Sequence, residues 1–222
     1  MNACQIADIA AIPRSTVCDW LRRPSAGPRD VEVSIESLPK ASYSYLFGFY
    51  LGDGTISRGR REVYRLRIFT DARYPRIIAE CAAAMEAVMP ENRVSVMPLA
   101  CRAVEIGCSS KRWPLLFPQH GPGPKHKRRI VLEPWQEEIV ADHTREFLRG
   151  LIHSDGCRVL NRVNGKDYPR YFFTQVSDDI RRIFCEACRR VGVAYTWNNW
   201  KTVSIARAPS VALLDTFVGP KT

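Results

Sequence analysis

The feature that most constrains this chain is that it repeats itself. YSYLFGFYLGDGTIS, starting at Tyr43, returns as TREFLRGLIHSDGCRV, starting at Thr144, with Asp53 and Asp155 standing 102 residues apart. The segments downstream keep one order in both copies. Strand-like runs EVYRLRIFT and YPRYFFTQVS come first, then amphipathic helices YPRIIAECAAAMEAV and DDIRRIFCEACRRVGV. A second strand pair follows (NRVSVMPLACRAVEIG; YTWNNWKTVSIA), and a short helix near 113–117 or 211–217 closes each copy. The copies end alike, in Gly123-Pro124-Lys125 and Gly219-Pro220-Lys221. The expected organisation is a first half over 42–132 and a second over 133–222.

The repeated helix carries the distinctive pattern. Gly48 and Gly52 in one copy match Gly150 and Ser154 in the other. Positions four apart share a helix face, so each helix presents a stripe of two small residues. Two such helices can approach backbone to backbone, where bulky side chains would hold them about 8–10 Å apart. An acid follows each stripe, then a glycine (Gly54, Gly156) that can end the helix in the left-handed conformation. Packed side by side, the helices bring Asp53 and Asp155 together. Two carboxylates at helix C-termini repel each other and oppose the helix dipoles. A divalent cation relieves both conflicts, which predicts an Mg²⁺ site at Asp53 and Asp155 with Gly52 and Ser154 beside them. Ca²⁺ or Mn²⁺ can substitute.

Charge narrows the partner. Thirty-three Lys+Arg against 23 Asp+Glu in 222 residues give a net +10, the balance of a chain that meets a polyanion. No apolar run reaches the roughly 18–20 residues that cross a bilayer, and the N-terminus lacks a basic-then-apolar leader. The expectation is a cytoplasmic chain, nucleoid-associated in a bacterial host, with no membrane partner. Eight cysteines are scattered, and Cys185 and Cys188 form a lone CxxC inside a helical run without a second ligand pair. They read as reduced core thiols.

LFGFYLGDG (46–54) and LRGLIHSDG (148–156) resemble the two motifs of a single-chain LAGLIDADG homing endonuclease. Leu51 and His153 depart from the motif's usual acid at the sixth position. The resemblance covers about 42–221. It implies an α+β fold of two pseudo-symmetric αββαββα halves whose antiparallel sheets form a saddle over double-stranded DNA. It also implies a monomeric pseudo-dimer and metal-dependent phosphodiester hydrolysis, with Asp53 and Asp155 as metal ligands. Lys125 and Lys221 match the family's basic residue near the end of each half. Asp71 and Asp178 are the nearest matches to a water-ordering polar residue, although an acid there departs from the usual Gln. A non-cleaving transcriptional regulator on the same scaffold and an RNA-splicing maturase are the rival activities.

The strands are independently compatible with that saddle. Arg65 and Arg67 alternate with Leu66 and Ile68, placing arginines on one sheet face and apolar residues on the other. Arg158, Arg162, Arg170 and Gln175 are the comparable candidates in the second half, with Arg58 at the first hairpin. Each serves equally well as a base reader, a phosphate contact or a solvated surface residue. Lys127 and Arg128 belong to a basic run, Lys125 to Arg129, that can also lie along a nucleic-acid backbone. Residues 1–24 read as a helix-turn-helix-like remnant with Arg14, Ser15, Thr16 and Asp19 on its second helix, or as an unrelated amphipathic arm. A Pro/Gly-punctuated linker over 25–41 follows it.

Overall fold

The computed structural model describes residues 3–10, 13–15, 17–18, 34–219 and 221. The chain divides into two compact units, 1–32 and 33–222. In the first, Ala3–Ala10 form a helix (α1), and Arg14, Ser15, Val17 and Cys18 lie in a helical turn closed by Val17 N–H donating to the Pro13 carbonyl at 3.3 Å. Thr16, Asp19 and most of the expected linker lie outside the described residues.

The second unit runs α2 (Lys40–Asp53), β1 (Gly54–Arg58), β2 (Tyr64–Asp71), α3 (Pro75–Val88), β3 (Val94–Pro98), β4 (Ala103–Ser110) and α4 (Trp113–Leu116). It continues with α5 (Pro134–Asp142), α6 (Thr144–Asp155), β5 (Gly156–Val163), β6 (Lys166–Thr174), α7 (Asp178–Arg190), β7 (Thr196–Asn199), β8 (Thr202–Ile205) and α8 (Ala208–Asp215). Both sheets are antiparallel with the same order, β1-β2-β4-β3 and β5-β6-β8-β7. The repeat in sequence is therefore a repeat of topology, αββαββα twice. The added element is α5, opened by a capping box in which Gln136 Oε1 accepts from Glu133 N–H at 2.9 Å.

Helix α2 is buried from Tyr43 through Leu51, because it lies between its own sheet and the partner helix α6. The interface is reciprocal. A Cβ built on Gly48 would overlap the Phe147 carbonyl oxygen and stand 2.9 Å from Leu151 N. One built on Gly150 would overlap the Tyr45 carbonyl oxygen and stand 2.9 Å from Phe49 N. Each glycine faces the same positions of the opposite helix, as a twofold relation requires. Aromatic packing seals one end of the contact, with the Phe47 and Phe147 rings 5.6 Å apart. Ser44 Oγ donates to the His143 carbonyl at 2.9 Å beside them.

The glycines after the acids work differently from expectation. Gly54 (φ −86°, ψ 149°) and Gly156 (φ −99°, ψ 165°) are extended, so neither helix ends in a left-handed residue. The chain passes straight from helix into strand, and the strand starts against the last helical turn. A Cβ would stand 2.6 Å from Tyr50 Cα at Gly54 and 2.8 Å from Ile152 Cα at Gly156. Close approach, not backbone handedness, demands glycine at both places.

Gly48→Ala should destabilise the chain by about 1–3 kcal/mol or more, because the added methyl meets backbone that cannot rotate aside. Leu46→Met, nearly volume-conserving on the same helix, should cost less than about 1.5 kcal/mol. In a Gly150→Ala background the Gly48→Ala cost should shrink, since the helices are already spread. Urea melts of the three variants and the double mutant check this. Additive or negligible glycine costs would contradict the close contact.

Candidate metal and nucleic-acid site

The two acids close their helices at the end of the α2–α6 contact. Asp53 opens to solvent on one side and Asp155 is half-buried. Protein excludes water around the rest of each group, and this is the main influence raising both carboxyls. Asp155 is pushed up to about 6, with the Asp53 charge the next cause. Among the described residues neither carboxylate forms an ion pair, although Lys125 and Lys221 lie near enough to lower both.

The lysines do something the sequence did not indicate. Lys125 Nζ donates to the Leu51 and Gly52 carbonyls at 3.0 and 2.7 Å and also to the Tyr50 carbonyl. All three ammonium protons are thereby spent on the exposed end of α2. Lys221 Nζ repeats the arrangement more loosely, donating to the Ser154 carbonyl of α6 at 3.3 Å. Each lysine caps the helix whose last residue is the acid, offsetting the dipole that opposes the carboxylate. Burial pulls the Lys125 pKa down to about 8. The Gly52 and Ser154 carbonyls, expected beside the metal, thus already accept from the lysines.

The two acids fit a divalent cation. A Cβ on Gly52 would stand 2.9 Å from Asp155 Oδ2 and overlap the Ser154 side chain, so the missing side chain leaves room beside the carboxylate. Ser154 keeps its Oγ folded back on the Leu151 and Gly150 carbonyls at 2.9 and 3.1 Å. No cluster of three His, Cys, Asp or Glu occurs among the described residues, and a cation held by Asp53 and Asp155 would draw its further oxygen ligands from elsewhere.

Gln175 belongs to this site. Its Nε2 donates to Asp155 Oδ2 at 2.5 Å, which removes it from the sheet-face candidates. Asp178 does not reach Asp155. It opens α7 after the Ser177 cap, pairs with Arg181, and its side chain is 92% exposed. The reason is register. Gly54 pairs with Ile68 but Gly156 pairs with Phe173, because the β5–β6 hairpin is longer. Counting from those pairs, Gln175 corresponds to Thr70, not to the acid at 71. Asp71 lines a cleft with Asp53, Thr70, Ser154 and Lys221, but its carboxylate is held by Arg73 Nε and N–H, both at 2.9 Å. That pairing lowers its pKa.

His153, at the departing motif position, is buried and bridges the halves. Its Nδ1 faces the Tyr45 hydroxyl and its Nε2 the Val218 carbonyl, each at 3.0 Å. Nε2 therefore carries the proton and donates to the carbonyl, and burial lowers the pKa to about 4. A neutral hydrogen-bonded ring serves at this position.

The sheet arginines divide sharply. Arg65 and Arg67 lie on the face opposite buried Leu66 and Ile68. Arg65 is engaged by Glu105 and Ser95, both at 2.9 Å. Arg67 lies over Phe69 and Arg170 over Phe172, and the Nε of each is buried with no hydrogen-bond partner among the described residues. Arg158 falls, by register, on the face of buried Tyr171, where its guanidinium grips Asp215 at 2.8 and 2.9 Å. It joins sheet to α8 and is not on the open face. Arg162 shares that parity and lies 3.7 Å from Asp167. Arg58 pairs with Glu62, and Arg128 donates to the Gly121 carbonyl. Lys127 is exposed in a short 3-10 turn.

No family model matches the sequence, and no curated protein matches it. Solved structures do match. Mesophilic variants of the homing endonuclease I-DmoI align with a TM-score of 0.55 at 15% identity, covering 80% of this chain and 89% of that one. I-DmoI in complex with DNA and Mn gives 0.55 at 14%, covering 82% and 99%. The N-terminal LAGLIDADG domain of DUF199/WhiA gives 0.50 at 12%, covering 87% and 86%. The chain has the two-half LAGLIDADG fold.

The shifted carboxyl makes a pH prediction. An ordinary Asp titrates near 3.8, so the folded chain binds the Asp155 proton more tightly than the unfolded chain does. This site's contribution is therefore greatest at low pH and is lost as pH rises through about 6. Asp155→Asn should gain stability relative to wild type between about pH 4 and pH 7. Paired urea melts across that range measure the difference. A constant difference would show that the carboxyl is not raised.

Proposed function

We propose that this chain is a monomeric, divalent-metal-dependent endonuclease that cuts double-stranded DNA at a specific site, working in the cytoplasm or on a bacterial nucleoid. The observation that carries the reading is the convergence of Asp53 and Asp155, one from each half, without an ion-pair partner among the described residues. A chain serving only as a scaffold gains nothing from two carboxyls raised by burial and held together by a glycine contact.

Asp53 and Asp155 would hold Mg²⁺, and the cation when bound would supply Lewis-acid activation of water and phosphodiester. The protein's own part is electrostatic and geometric. Gln175 fixes one oxygen of Asp155, leaving the other free to face a ligand. Lys125 and Lys221 hold positive charge at the helix ends beside the acids, where a scissile phosphate would lie. Arg67 and Arg170, on the sheet faces opposite the buried Leu66, Ile68 and Tyr171, suit contact with the major groove. The net charge of +10 suits a salt-dependent grip on the backbone.

A second reading, a DNA-binding regulator that keeps the shape without cutting, draws on one observation. Lys125 has no donor left for a phosphate unless it releases a helix carbonyl.

One experiment separates the readings: incubation with a randomised duplex pool and Mg²⁺, followed by sequencing of the ends. The endonuclease should return an asymmetric site, since the halves differ in nearly every strand residue. Asp53→Asn and Asp155→Asn should each retain duplex affinity within a few-fold while losing double-strand cleavage. Either variant cutting both strands at near the wild-type rate would remove the metal assignment. Binding without any cleavage by wild type would favour the regulator.

A further inference from the structure

Arg181 is 5% exposed on α7, and arginine is almost never fully buried unless its guanidinium is paired. Its Nη1 donates to the Gln175 carbonyl at 2.5 Å and its Nη2 to Asp178. The guanidinium lies 6.0 Å from the Trp197 ring centre and 5.8 Å from that of Trp200, while its Nε has no partner among the described residues. Both indoles belong to the β7–β8 hairpin and are more than half exposed, at 55% and 67%. Lys201, in the same hairpin, accepts from Gln175 N–H through its carbonyl at 3.0 Å. The Gln175 backbone is thus tied at both polar groups, one to the hairpin and one to Arg181. Its side chain is tied at both ends too, Oε1 accepting from Val176 N–H at 2.8 Å and Nε2 donating to Asp155.

We propose that Arg181, set against Trp197 and Trp200, is a positioning residue that holds Gln175 against Asp155 and so makes the two acids of the site unequal. The inference rests on the endonuclease reading for its consequence in catalysis, but not for its geometry. Among the described residues the first half has nothing comparable. Thr70 stands at the register position of Gln175, and the Asp53 carboxylate has no hydrogen-bond partner among the described residues. A planar fork is needed, because one side chain must reach the Gln175 carbonyl and Asp178 while presenting flat faces to two indoles. Lysine keeps the charge and loses all of that geometry.

The test uses the full chain and two readouts. The first is the Gln175 side-chain NH₂ pair in a ¹⁵N–¹H spectrum, identified by its disappearance in Gln175→Leu. In wild type one proton should be shifted downfield and slow to exchange. Arg181→Lys should return the pair to free-amide positions. Trp200→Ala should do so in part, and Trp200→Phe, which keeps a ring face, should restore it. Trp200 is exposed, so its variants do not depend on the core surviving the loss of a buried arginine.

The second readout is single-turnover cleavage with each strand labelled separately. Arg181→Lys should slow one strand roughly tenfold to a hundredfold, the scale of an active group displaced by about 1 Å. It should be the strand that Gln175→Leu slows, with the other strand within about twofold of wild type. A variant that merely loosened the fold would slow both. An unchanged Gln175 amide pair in both Arg181→Lys and Trp200→Ala, or equal slowing of the two strands, would overturn the proposal. If wild type cuts neither strand, the endonuclease reading fails and the amide spectrum alone decides the positioning role.

Discussion

Everything in the second unit depends on one interaction, the backbone-to-backbone contact of α2 with α6 at Gly48 and Gly150. No side chain fits at either glycine, since even a methyl would meet a carbonyl oxygen of the opposite helix. The contact is reciprocal, so it fixes the twofold relation between the sheets as well as the distance between the helices. Because both helices end at the same level, it also brings two like charges together. That placement is unfavourable by itself, and the surroundings are built to moderate it. A lysine caps each helix end, and Gln175 hydrogen-bonds the more enclosed acid.

The capping lysines connect fold and chemistry. An ammonium bonded to the last carbonyls of a helix supplies the positive end that the dipole lacks, so the acid beyond it can stay ionised in a partly dry site. Lys125 does this with three carbonyls and Lys221 with one. The halves are alike in plan and unequal in detail, and the same holds for their acids. Asp155 has an amide donor and a hairpin behind it, whereas Asp53 faces solvent beside Asp71. An asymmetric pair built on a symmetric contact suits a target whose two strands differ.

Much of this was legible in the sequence because it is local. Small residues four apart, an acid after them and the same pattern 102 residues later dictate the helix pair and its shared carboxylates. Alternation in Tyr64–Asp71 gave the two faces of β2, and burial of Leu66 and Ile68 follows it. What was not legible depends on register and on contacts between distant segments. The longer β5–β6 hairpin shifts the second half by three positions, so the acid at 178 fell on a helix start and Gln175 took its place. The face of Arg158 is set by a different contact, its pairing with buried Tyr171 across the sheet, just as Ile56 pairs with buried Leu66. The Lys125 cap spans more than seventy residues and leaves no local pattern. Helix α5 does leave one, a Glu133-Pro-Trp-Gln136 capping box before a helical run.

The central claim is that the glycine contact builds one cation site from two halves, and Mn²⁺ tests it without relying on cleavage. Titrated into the chain labelled with ¹³Cγ-aspartate and bound to a duplex from the selection, Mn²⁺ broadens the carboxyl resonances nearest to it. The structure predicts that Asp53 and Asp155 disappear together at the lowest Mn²⁺ concentration, ahead of every other aspartate. In Gly48→Ala, with the helices spread, both should need more Mn²⁺. Loss of one resonance without the other, or broadening that begins at other aspartates, would mean that the two acids do not form a single site.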